Sequence, residues 1–248
     1  MRMRLSNDAR PQAMTLLVAA IISVLLWFIP YLEILGYPFK IFTTFIHEGG
    51  HALAALITGN SVRSLSVALD ASGLTQTTRG GTLSQMFISS AGYLSSMAFG
   101  AFLLFLIRKS VKSRIILLGC GILIAALTLV FGLFTSAFSF EAWSGIPFTL
   151  IAGSLISVGL ILMAKFATRR VATYFVSFLA VQCVLNALLD LKDVFFLSTP
   201  FAPAVPTDAV NMAHATGLPA IFWTVVWIAF ALGIGMARSA TGNTRVTF

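Results

Sequence analysis

The chain has 248 residues, 58% of them hydrophobic and only 10% charged, with a mean hydropathy of +0.95. That composition excludes an array of soluble domains and fits several apolar runs of membrane-spanning length. The formal charge of +8 does not point to nucleic acid, because the basic residues are scattered through short connections between apolar runs, the footprint of cytoplasmic loops.

Apolar length read against breakers predicts spans near 14–34, 39–57, 84–107, 115–138, 145–166, 172–197 and 218–237. The expected fold is an all-α polytopic membrane protein of about six to seven transmembrane helices. It forms one integral membrane domain over 1–248, with tails at 1–13 and 238–248. Arg2, Arg4 and Arg10 precede the first run, which is too long for the apolar core of a signal peptide and has no small-residue cleavage site after it, so it reads as a retained span. Arg108, Lys109, Lys112 and Arg114 in one connection, Lys165, Arg169 and Arg170 in another, and Arg238 and Arg245 in the C-terminal tail all favour the cytoplasm. Counting back through seven spans puts the N-terminus outside, whereas its arginines favour inside; the side of that tail stays open.

The second predicted span carries His47-Glu48-Gly49-Gly50-His51, two of the three histidines in the chain and one of its eight acids. At about 3.6 residues per turn, positions four apart share a helix face, so both imidazoles can address one ion. Glu48 lies one residue along, placed to act on a water beside that ion without ligating it. This is the H-E-x-x-H pattern of zinc metallopeptidases, in which the metal lowers the pKa of water and the glutamate takes its proton. The membrane context sharpens the signal, because a carboxylate at mid-bilayer costs roughly 2.5–3.5 kcal/mol or more unless it is partnered.

Residues 58–83 form the main polar interruption of the first half. Val62 to Leu69 partly alternates, Asp70-Ala71-Ser72-Gly73 is a turn sequence, and Leu74 to Thr78 follows, so a short β-hairpin is expected after the second helix. A strand edge beside a metal site would hold an extended peptide by β-augmentation. On the third span Ala91-Gly92-Tyr93, Ser96 and Gly100 form a small-residue stripe suited to close helix packing. Cys120 and Cys183 lie in apolar segments, form no C-x-x-C unit and read as core residues.

A catalytic zinc site takes three protein ligands and a water, so a further donor is needed. The sixth predicted span supplies Asn186, Asp190 and Asp193. Asp190 is the favoured third ligand and Asp193 the reserve; Asn186 suits orientation of a ligand or substrate, and His214 is a weaker candidate donor. A Lys192–Asp190 salt bridge is the structural alternative. Asp208 lies in a connection containing Pro200, Pro203 and Pro206; it is expected either in an ordinary surface loop or in a segment that caps the site.

These residues resemble the M50 zinc metallopeptidases, the site-2-protease class, and within it the bacterial M50B-like branch. The resemblance is carried by Ile46 to Leu53, a turn with Gly59 and the strand-like segment, Ala91-Gly92-Tyr93-Leu94, the Asn186-to-Asp190 segment, Thr207-Asp208-Ala209, Thr216 to Ala220, and Trp223. It implies Zn2+ held by His47, His51 and Asp190, with Glu48 as general base. It also implies a membrane-embedded zinc endopeptidase cutting membrane proteins or peptides in or near the bilayer of a bacterial plasma membrane. The chain departs from the better-studied members in having Leu191, not glycine, after Asp190, and in lacking a PDZ-like insertion. The competing expectation is a non-catalytic membrane scaffold or a metal-binding transporter of the same fold; the absence of internal repeats counts against transport.

Overall fold

The computed structural model describes residues 9–28, 31, 33–199, 201 and 205–241. Arg2, Arg4, Pro200, Pro203 and Arg245, which entered the sequence reading, lie outside them. The chain is mostly helical, with α1 (Ala9–Phe28), α2 (Glu33–Ile57), α3 (Thr82–Arg108), α4 (Ser113–Ala126), α5 (Ile146–Phe166), α6 (Arg169–Leu197), α7 (Asp208–Thr216) and α8 (Ala220–Thr241). One antiparallel hairpin, β1 (Val62–Val67) with β2 (Gly73–Thr77), follows α2 as expected. The helix of α4 widens to π-helical pitch over Leu127–Thr135 and ends in a 3-10 turn at Ser136–Phe138.

Among the described residues, four helical segments are long and apolar enough to cross a membrane: α3, α4 with its continuation to Phe138, α5 and α6. The pair α7 and α8, bent by 115° at the Gly217–Pro219 break, makes a fifth if taken as one broken span. The described residues thus account for four to five of the six to seven spans expected. The described apolar stretch of α1 is only Met14–Ser23, and α2 is interrupted by Lys40, His47, Glu48 and His51. Leu118, Ile122, Leu129, Ile151, Leu155 and Leu162 face outward from α4 and α5, the pattern of helices solvated by lipid.

Small residues set the close approaches. A methyl group on Gly50 of α2 would strike Ser95 and the Ala91 carbonyl of α3. The Ser95 hydroxyl donates to the Ile46 carbonyl at 3.2 Å. On the same stripe of α3, Gly100 lies against the Ala180 carbonyl and Cys183 of α6, so the stripe packs α3 against two neighbours. Two of the apolar clusters among the described residues position the site. The larger joins Phe42 and Phe45 of α2 to Leu117 and Ile124 of α4 and Leu179 of α6. The other gathers Tyr93 and Met97 of α3, Leu191 of α6, Met212 of α7 and Trp227 of α8, and it holds α7 against α3 and α8.

The hairpin packs on α2 through β2 and on α5 and the π-helical continuation of α4 through β1. β1 is almost wholly buried, and the Thr149 hydroxyl of α5 accepts from Val67 N at 2.9 Å. In the turn, Asp70 accepts from the backbone N–H of Ser72 at 2.9 Å and from its hydroxyl at 2.6 Å. These bonds hold the Asp70 carboxyl below the usual carboxylate range. β2 has β1 as its only strand partner in the two-stranded sheet.

Candidate metal centre and catalytic cleft

His47 and His51 stand one turn apart on α2, their ring centroids separated by 4.8 Å. His51 Nδ1 donates to the Ile88 carbonyl of α3 at 2.6 Å, which fixes the tautomer and leaves Nε2 as the free donor atom. The His47 ring meets Tyr93 edge to face at 4.7 Å, and Tyr93 in turn packs on Trp227 at 5.4 Å. The Trp227 indole donates to Ser90 at 3.0 Å. Both imidazoles are thus oriented by α3, the helix whose small residues let α2 approach.

The third member of the group comes from α7. Asp208 Oδ2 lies 3.4 Å from His47 Nε2 and 3.3 Å from His51 Nε2. Thr207 accepts from Val210 N as the N-cap of α7, while Ala209 and Met212 are buried, so the carboxylate projects from a capped and anchored first turn. Donors around a tetrahedral ion with bonds of about 2.0–2.1 Å stand roughly 3.3–3.4 Å apart. Two imidazoles and one carboxylate at these separations fit zinc, and the mixed nitrogen and oxygen set suits it better than calcium or magnesium.

The sequence-predicted residues divide as follows. His47, His51 and Asp208 form the group whose ligand atoms all lie within 4.8 Å of one another. Asp190 lines the same cleft, of about 400 Å³, without joining that group. Asp193 also lines it, but Lys192 pairs with Asp193 at 2.9 Å rather than with Asp190. Asn186 is buried in the wall and gives its amide hydrogens to the Gln182 carbonyl at 2.9 Å and to the Gln182 side chain at 3.1 Å. His214 is exposed in the last turn of α7 and lies outside the group.

Glu48 is 5% exposed and points at β2, where a methyl group on Gly73 would collide with its carboxylate. The Thr75 hydroxyl donates to the Glu48 backbone carbonyl at 3.1 Å. Gly73, Leu74, Thr75 and Thr77 line the cleft, so a strand lies beside the two histidines and Asp208, as expected. Three contributions went unread in the sequence: the Ile88 carbonyl, the Tyr93 ring and the bare backbone of Gly92. Gly92 and Tyr93 carried a signal only as part of the segment read for helix packing, and the Ile88 carbonyl carried none. A methyl group on Gly92 would strike Nε2 of both histidines, so this glycine makes room for the donor atoms as well as for helix packing. Gly92→Ala should weaken zinc binding by about 10–100-fold, the range for disturbing groups that orient ligands. Zinc titration of the folded, monodisperse variant measures it, and unchanged affinity would show that the histidines have another way to turn.

No curated protein sequence and no solved structure shows significant similarity to the chain. The profile of the family described as Peptidase M50B-like matches residues 16–237, and the chain belongs to that family.

Proposed function

We propose that this integral membrane peptidase is a zinc endopeptidase in which His47, His51 and Asp208 hold the metal and Glu48 is the general base. The observation that carries the reading is the convergence of one carboxylate on two imidazole nitrogens at 3.3 and 3.4 Å, with Glu48 on the same helix and in the same cleft. A zinc ion held there supplies Lewis acidity, making water acidic near neutral pH and polarising a peptide carbonyl.

The chain's own groups do the rest. Glu48 takes a proton from the attacking water and delivers it to the leaving amine. Its burial against Gly73 keeps the carboxylate aimed into the cleft and limits competing bulk water. The outer edge of β2 receives an extended peptide by main-chain pairing, which presents a peptide bond that a helix would shield. Membrane proteins or their peptides are the substrates on this reading, and a bacterial plasma membrane is the setting. Detergent-purified protein should hold close to one zinc per chain by elemental analysis. It should also cleave a membrane-derived peptide in a manner abolished by chelation and restored by zinc. Protein free of zinc after preparation without chelators would overturn the assignment.

A further inference from the structure

A second cleft, of about 590 Å³, opens between α6 and the N-terminal half of α2. It shares Lys40, Asn186, Asp190 and Asp193 with the cleft of the metal centre, so the two adjoin along one wall. The α6 side is a single helix face: Gln182, Asn186, Leu189, Asp190 and Asp193 recur at helical spacing.

Most polar groups around this cleft already have partners. The Tyr37 hydroxyl donates to the Leu69 carbonyl at 2.6 Å, Asp70 accepts from Ser72, Asp193 pairs with Lys192, and the Asn186 amide donates to Gln182. Among the buried polar side chains of the lining, Gln182 stands apart: it is 1% exposed and its Nε2 has no hydrogen-bond partner. The Asn186 bond to Gln182 Oε1 sets the amide orientation, so the orphan is a donor. A buried donor without an acceptor is destabilising and rare in a folded chain, and it persists where a ligand supplies the acceptor.

The surrounding charge selects the kind of acceptor. Asp70, Asp190 and Asp193 outnumber Lys40 in the lining, so a carboxylate or phosphate is repelled. A cation would satisfy the acids but leave Gln182 unanswered. A peptide unit meets both demands, because its carbonyl accepts from Gln182 and its N–H can donate to Asp190, which has no ion pair among the described residues. We infer that the second cleft is a subsite for the extended main chain of the substrate on one side of the scissile bond, with the Gln182 side-chain amide as donor to a substrate carbonyl. The inference rests on the zinc endopeptidase reading above.

Three zinc-binding probes test it on the full chain: acetohydroxamate, which reaches only the metal; trileucine hydroxamate, which extends to one side; and a succinyl hydroxamate of dileucine, which extends to the other. In Gln182→Leu, acetohydroxamate should bind as in wild type, while one of the two peptidyl probes should weaken by about 5–10-fold, the loss of one hydrogen bond. The thermal unfolding temperature should change little, since the substitution removes an unpartnered donor together with the Oε1 that accepts from Asn186, whose amide keeps its bond to the Gln182 backbone carbonyl. Leu189→Trp, which fills the cleft from its half-buried wall, should weaken the same probe and serves if Gln182→Leu fails to fold. Wild-type affinity for both peptidyl probes in these variants would overturn the subsite and leave the metal centre standing. Failure of wild type to bind acetohydroxamate would instead overturn the metal centre, and the subsite with it.

Discussion

Asp208→Ala should lose its zinc, whereas Asp190→Ala should keep it. Asp208 stands 3.3 and 3.4 Å from the two imidazole nitrogens, and removing one of three protein donors should weaken binding by at least about 100-fold, beyond the range for orienting groups alone. The α7 helix should survive the change, because Thr207 still caps it and Ala209 and Met212 still anchor it. Asp190 borders both clefts but lies outside the donor group; its loss should reduce substrate turnover while leaving the metal content near that of wild type. Elemental analysis of the two variants beside wild type decides the matter. Zinc retained in Asp208→Ala and lost from Asp190→Ala would invert the assignment and require α6 to turn its acid face toward the histidines.

That contrast also shows where sequence reasoning reached and where it stopped. The paired histidines and Glu48 were legible because their geometry is local: one helix, one face, four residues apart. The hairpin was legible for the same reason, with alternation interrupted by Asp70-Ala71-Ser72-Gly73 and the Asx-type turn that Asp70 closes on Ser72. Asp190 drew attention because an acid inside an apolar helix is costly. Asp208 was harder to read, since its segment follows prolines and looked like a connecting loop. In the fold it opens α7, a helix whose boundaries were written in Thr207 as N-cap and Gly217, at φ 75°, as the stop. Gly217 and Pro219 mark the break between α7 and α8, but no local pattern gives its angle of 115°. That bend and the packing of the Trp227 cluster bring position 208 against position 47. Among the described residues α2 is not counted as a span, because it trades apolar residues for the groups of the site, so the helix that carries the chemistry falls short of the apolar length that marks a membrane span.

Glu48→Gln should abolish proteolysis while sparing the metal. Glutamine keeps the shape of the side chain, so the contact with Gly73 and the hydrogen bond from Thr75 to the backbone of residue 48 should persist. What it removes is the ability to accept a proton and hand it on. General-base catalysis contributes about 10²–10⁴-fold, and kcat should fall by at least that factor with KM for peptide little changed, because the carboxylate acts on water rather than on substrate binding. Zinc content should remain at the wild-type level, since Glu48 lies outside the donor group. The variant therefore separates the two roles that α2 carries on adjacent residues. Loss of zinc together with activity would make Glu48 part of the metal's support, and wild-type turnover would remove it from the mechanism. A protein that binds zinc and holds substrate without cutting it is the outcome expected if water attack is the step that Glu48 controls.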